Sequence, residues 1–299
     1  MSANSSPVWR SLLYVPANNQ RFIDKAHTRD ADGLILDLED SVPPGERHAA
    51  RAGLKDSVQS VGSGHSDVLV RVNAGPPDAD ADLDAAVIPG VTALVVPKTE
   101  SPGQIAAISK KVAALESARG LEAGGIRFLV LIESPEGLLN ARDVARADPR
   151  VVALTLGSED FAAETGMQPN EDNLLLPKQM TLFAARAARV MPLGLVGSIV
   201  AYQDIEALER IALRSRALGF EGASCIHPSA VPVLNDAFTP SHFDVDKSKR
   251  IVSASEQAAA EGRGAFELDG RMVDAPVVTR AKRLLQRAEA IALRLNRSA

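Results

Sequence analysis

The chain has 299 residues, 45% of them hydrophobic and 24% charged, and a formal net charge of −5. This composition supports a large apolar core and excludes disordered and collagen-like classes; the acidic balance argues against a general nucleic-acid binder but leaves room for a local basic cluster on a phosphorylated cofactor. A single cysteine, Cys225, rules out an intrachain disulfide framework, and with no apolar leader and no run near the ~20 apolar residues of a membrane span, a soluble cytoplasmic protein is predicted.

The first strand is predicted at 10–15, RSLLYV, stopped by Pro16, and Asn18-Asn19 signal a turn or cap before a helix at 20–29. Arg21 and Lys25, four apart, share a face of that helix. With Tyr14 at the strand end they would grip a phosphate-bearing ligand, or else form a solvated cationic face. The next strand, 33–38, runs into Asp37, Glu39, Asp40 and Ser41. Acids packed so densely at a strand exit need solvent, partners or a cation.

A helix at 46–61 leads to a strand at 68–72 that places Arg71 among apolar neighbours. Its anionic partner is either structural, Asp37 or Glu39, or a substrate carboxylate. The stretch 78–85, DADADLDA, alternates acids like a calcium loop, but Leu83 replaces the loop glycine and Pro89 the closing glutamate, so it reads as a solvated helix start. A strand at 91–98 ends at proline with Lys98 just outside, and a helix at 101–117 follows.

The stretch 126–138, IRFLVLIESPEGL, is a fully buried strand closed by Glu133, with Ser134 and Pro135 preventing its continuation. After a helix at 137–147 the same grammar recurs: a strand at 151–156 ends in Gly157 and presents Glu159 and Asp160. Carboxylates on two such strand ends point to a hard-cation site. Helices at 176–189 and 204–218 flank a strand at 193–199, and a short strand at 223–226 is closed by His227-Pro228, where His227 reads as a hydrogen-bonded structural residue rather than a base.

Eight strands, near 10, 33, 68, 91, 126, 151, 193 and 222, thus alternate with helices in the rhythm of a TIM (β/α)8 barrel. A doubly wound sheet is the alternative, but neither G-x-G-x-x-G nor a Walker sequence is present. The barrel is assigned to 1–238. A C-terminal helical extension, 239–299, contains a helix at 243–262, a hairpin at 265–276 and a long helix at 277–295 that packs on its own barrel or on a neighbouring subunit. Asp274, before Ala275-Pro276, reads as a helix N-cap. The barrel mouth gathers Tyr14, Asp37, Glu39, Asp40, Arg71, Lys98, Glu133, Glu159 and Asp160. The lack of a Cys/His ligand set argues against zinc, whereas carboxylates with room for water suit Mg²⁺.

The segments RSLLYVPANN, LILDLEDSV, VLVRVN, LVVPKTES, LVLIESPEGL, LGSEDFAAETG, LGFEGASCIHP and MVDAP occur in the order seen in the citrate lyase beta-subunit-like (HpcH/HpaI aldolase/citrate lyase) family, which includes malyl-CoA and citramalyl-CoA lyases. The chain resembles that family over almost its whole length. The resemblance implies a barrel of the phosphoenolpyruvate/pyruvate-binding type, a homotrimer, and Mg²⁺-dependent cleavage or formation of a carbon-carbon bond beside a CoA thioester. Glu133 and Asp160 match the metal ligands, the backbone amides of Glu159 and Asp160 match those holding the keto-acid carboxylate, and Arg71 matches the arginine at the substrate carbonyl. Asp37, Glu39 and Asp40 match the acidic segment around the metal's waters. Tyr14, Arg21 and Lys25 match positions that contact CoA, and Asp274 matches an acid that reaches a neighbour's active site as catalytic base.

Two regions depart from the family pattern. A tyrosine-alanine-arginine pattern is replaced within LLLPKQM, around Leu176 to Met180, and GLVGSIV carries Gly197 or Ser198 near the usual aspartate. The implied activity is an acyl-CoA lyase on a malyl-, citramalyl- or citryl-type thioester. The alternatives are action on a free hydroxy-keto acid, thioester hydrolysis, or a non-catalytic keto-acid- and CoA-binding subunit.

Overall fold

The computed structural model describes residues 7–197 and 203–297, in two compact units, Met1–Phe238 and Thr239–Ala299. In the first, β1 (Ser11–Pro16), α1 (Gln20–Ala26) and β2 (Gly33–Asp37) are followed by α2 (Arg47–Ala52) and α3 (Leu54–Val61). The single helix expected at 46–61 is therefore two, broken at Gly53, which caps one and opens the other. Next come β3 (Asp67–Arg71), α4 (Asp78–Ala86), β4 (Ala93–Val96), α5 (Pro102–Ala118), β5 (Arg127–Ile132), α6 (Pro135–Arg146), β6 (Val151–Leu156), α7 (Ser158–Thr165) and α8 (Glu171–Ala188). The unit ends with β7 (Met191–Pro192), α9 (Ile205–Leu218), β8 (Ala223–Cys225) and α10 (Ala230–Ala237).

The eight strands form one parallel sheet in the order β7-β6-β5-β4-β3-β2-β1-β8. A parallel bridge from Leu193 to Gly222 brings the two edge strands together and completes a (β/α)8 barrel. Closure is tight there, since a Cβ on Gly222 would meet the Trp9 carbonyl oxygen at 1.8 Å. The strand expected at 193–199 is shorter and earlier than its sequence suggested. Beyond the Leu193 bridge, Gly194 donates to the Gly222 carbonyl and the chain leaves the sheet, while 198–199 lie outside the described residues.

Each strand is apolar on both faces, and the faces separate cleanly. Leu12, Ile35, Leu69, Val95, Leu129, Leu131 and Ala153 fill the barrel interior, whereas Leu13, Leu34, Leu36, Val68, Val70, Val130 and Leu154 join the layer under the helices. Side chains alternate along a strand with a period of two. The interior phase, carried to the carboxyl ends, therefore reaches Tyr14, Asp37, Arg71, Glu133 and Thr155. Two ion pairs far from those ends are buried: Arg10 holds Asp32 at 2.8 Å, and Arg150 holds Glu116 at 2.5 Å.

The expectation that 78–85 is a solvated helix start holds only in part. Asp82 is fully buried, accepting from Arg51 Nη1 (2.9 Å) and from the Asn73 backbone and side chain. In the second unit, α11 (His242–Ala260), a β9 (Phe266–Leu268) and β10 (Arg271–Val273) hairpin, and α12 (Ala275–Arg297) surround a small core of Ile251, Val273 and Ala281. Among the described residues no helix is long and apolar enough to cross a membrane.

Candidate functional site

Register sets the first part of the site. Asp37 and Arg71 are direct partners across β2 and β3, and both project inward. Arg71 Nε donates to Asp37 Oδ1 (2.6 Å) and Nη2 to Asp37 Oδ2 (2.7 Å), a bidentate pair, while Nη1 donates to Asp40 Oδ2 (3.0 Å). Glu39 Oε2 also lies 3.0 Å from Nη1. The partner of this buried arginine is thus the acidic run after β2. Arg71 and its neighbours hold the Asp37 carboxyl below the usual carboxylate range despite burial, and Asp37 keeps Arg71 charged. The guanidinium carbon sits 4.9 Å from the Tyr14 ring centroid, and burial drives the Tyr14 phenol far above its ordinary range.

Glu133 follows β5 and is 5% exposed. Its Oε2 accepts from the Lys98 backbone N–H (2.6 Å), and Lys98 Nζ donates to Glu39 Oε1 (2.8 Å). Lys98 adopts the left-handed conformation (φ 50°), a cost a non-glycine residue bears at few places, and here it links two carboxylates through one residue. Burial pushes the Glu133 carboxyl up to about 7, with the charges of Asp160 and Glu39 adding to the effect. Glu39 is also raised, by burial above all, although two cations face it.

Two observations fit a hard cation here. A Cβ on Gly157 would meet Glu133 Cγ and Oε1 at 2.5 Å, so the missing side chain is the space the carboxylate occupies. Glu39 Oε2 is buried and makes no hydrogen bond, its ion pair with Arg71 Nη1 leaving acceptor capacity that a metal-bound water could use. The raised Glu133 carboxyl would return to its ionised form beside a cation. Among the described residues no three His, Cys, Asp or Glu side chains converge on one point. Glu133 and Asp160 line the same cavity, and two carboxylates with water completing the shell would suit Mg²⁺.

Asp160 and Glu159 occupy the first turn of α7, the end of a helix whose dipole and backbone N–H direction favour an anion. The enclosing cavity, about 390 Å³, is lined by Tyr14, Asp37, Asp40, Arg71, Glu133, the 155–160 segment, Lys178, Gly194, Leu195 and Ser224. Arg21 and Lys25 are not brought to it: both are exposed on α1. His227 is exposed, with Nδ1 2.8 Å from Ser229 Oγ, in line with a hydrogen-bonded role. Burial pushes the Cys225 thiol up to about 12, so it is no nucleophile. Asp274 caps α12: its Oδ1 accepts from the Val277 N–H (3.4 Å). Of the two departures from the family pattern, Leu176 to Met180 falls within α8; at the other, Gly197 is buried and Ser198 lies outside the described residues.

Sequence reading marked 176–180 only as a departure and did not single out Lys178. Its signal was helical spacing: Leu174, Lys178, Thr181 and Ala185 fall on one face, and all four are buried.

Residues 10–228 match the model of the HpcH/HpaI aldolase/citrate lyase family. The citrate lyase subunit beta of Escherichia coli (strain K12) is 35% identical over 288 residues, covering 95% of each chain. A (3S)-malyl-CoA thioesterase of Cereibacter sphaeroides (strain ATCC 17029 / ATH 2.4.9) is 32% identical over 292 residues, covering 97% of this chain and 98% of its own. Among solved structures, CitE of Mycobacterium tuberculosis in complex with magnesium, acetoacetate and coenzyme A superposes with a TM-score of 0.74 at 30% identity, covering 95% of this chain and all of that one. A match over most of the barrel, relatives of equal length, and a shared architecture lead to one assignment: the chain belongs to the HpcH/HpaI aldolase/citrate lyase family.

Proposed function

We propose that the protein is a Mg²⁺-dependent carbon-carbon lyase that cleaves, or in reverse forms, a 3-hydroxyacyl-CoA thioester of the malyl-, citramalyl- or citryl-CoA type, giving acetyl-CoA or a related acyl-CoA and a 2-keto acid. The observation that carries the reading is the buried Glu133 carboxylate seated in the Gly157 notch, on the same cavity as Asp160. Glu133 and Asp160 would hold the ion, which when bound supplies Lewis-acid polarisation of the keto-acid carbonyl.

The chain's own groups do the rest. The α7 amides at Glu159 and Asp160 orient the keto-acid carboxylate. Arg71, fixed by Asp37 and Asp40, gives the mouth a rigid positive group near the reacting carbonyl without needing to reorganise. Glu39 and Asp40 order water around the carboxylate pair. Asp274 from a neighbouring copy takes and returns the proton of the acetyl methyl, which requires an oligomer; a cytoplasmic homotrimer fits this role. Tyr14, Arg21 and Lys25 form the CoA-binding set, with the exposed cations of α1 outside meeting phosphate and Tyr14 inside. The relationship to lyase subunits and the magnesium- and CoA-bound CitE supports this assignment.

Release of a 2-keto acid from such a thioester in the presence of Mg²⁺, abolished by Glu133→Ala, tests the reading; turnover indifferent to EDTA sinks it. The similarity to a malyl-CoA thioesterase favours a second reading, hydrolysis. Product analysis separates them, because hydrolysis yields free CoA and a hydroxy acid, whereas cleavage yields an acyl-CoA and a keto acid.

A further inference from the structure

Lys178 projects from α8 to the carboxyl end of β6, 2% exposed, and lines the same cavity as Glu133 and Asp160. Its ammonium carries three donors. One serves the Leu156 carbonyl (2.9 Å), which the short β7 leaves without a ladder partner; among the described residues Lys178 makes no other hydrogen bond and no ion pair. A buried ammonium with no anion in ion-pair contact is an expensive feature, and burial pushes Lys178 down to about 7, against the opposing charge of Glu159. The other cation on this cavity is already committed, since Arg71 is held by Asp37, Asp40 and Glu39. Under the proposed function the first carboxylate of the oxo acid is accounted for at the α7 amides. Lys178 is then the group left to receive a second anion.

We propose that Lys178 is a specificity-determining cation of the site: its ammonium pairs with a second carboxylate on the 2-oxo acid, so that dicarboxylic oxo acids are selected over monocarboxylic ones. This rests on the functional reading above. An arriving carboxylate completes the donor set of Lys178 and restores its charge, and a monocarboxylate leaves it buried and unpaired.

The test is calorimetry of the full chain with Mg²⁺ and, in turn, oxaloacetate and pyruvate. Wild type is expected to bind oxaloacetate at least about ten-fold more tightly. Lys178→Gln keeps a donor for the Leu156 carbonyl but removes the charge, and is expected to lose that preference by weakening oxaloacetate alone. Lys178→Arg is expected to retain it. A preference that survives in Lys178→Gln, or equal affinities in wild type, overturns the assignment while leaving the lyase reading standing; where Lys178→Gln fails to fold, the uncharged and similarly shaped Lys178→Met takes its place with the same expected loss. A wild-type protein that binds neither oxo acid overturns both.

Discussion

In the metal-free protein, burial pushes the Glu133 carboxyl up to about 7 from its ordinary 4.5. Between those values the native state keeps a proton that the unfolded chain has released, so this group's contribution to stability falls as pH rises through the window. Glu133→Gln removes the titration. In EDTA-treated protein the variant should melt above wild type at about pH 8, by an amount on the order of 3 kcal/mol, and close to it at about pH 4. Thermal melts at both pH values decide this, and a variant no more stable than wild type at the higher pH counts against it. Gly157 makes a complementary case. A methyl group there would overlap Glu133 Oε1, so Gly157→Ala should displace the carboxylate and weaken Mg²⁺ binding by about ten-fold or more while the circular dichroism spectrum is kept. Calorimetric titration with Mg²⁺ is the measurement.

At the scale of elements, the barrel separates stability from chemistry along the strand axis. Glu116 ties α5 to the stretches that lead into β5 and β6, pairing with Arg150 and accepting from the Gly124 and Ile126 N–H groups. Glu116→Ala would strand a buried guanidinium and should cost about 3 kcal/mol in urea unfolding. Mg²⁺ affinity should stay within about two-fold of wild type, since additivity is expected for distant sites. A large loss of Mg²⁺ binding in this variant would show that the two ends of the barrel are coupled. The helices carry a similar division. Arg21 and Lys25, read from sequence as ligand contacts, sit exposed on α1, whereas Lys178, a residue in an apolar run, is buried against the site.

For the whole molecule, the role of Asp274 makes a prediction about assembly. If the base comes from a neighbouring copy, Asp274→Ala and Glu133→Ala proteins are each inactive alone, yet mixed oligomers refolded together pair an intact Glu133 with an intact Asp274 in some sites. Recovery of a fraction of wild-type turnover on mixing, on the order of a quarter for random assembly, is the expected result under the proton-transfer role. No recovery in mixed oligomers verified by mass spectrometry would show that both groups act from one chain or that Asp274 has no part in turnover.

Much of this was written in the linear pattern. Runs such as FLVLIE are apolar on both faces and end in an acid, which determines a buried parallel strand delivering a carboxylate; the period of two places Tyr14, Asp37, Arg71 and Glu133 in one inward phase. What only the tertiary structure decided is which charges meet. Strand register made Asp37 the bidentate partner of Arg71, the left-handed turn at Lys98 joined Glu133 to Glu39, and the early departure of β7 left the Leu156 carbonyl for Lys178. Local sequence carries periodicity, but pairing between residues dozens of positions apart depends on barrel closure, and burial, which sets the charge of Glu133 and Lys178, exists only once the barrel has closed.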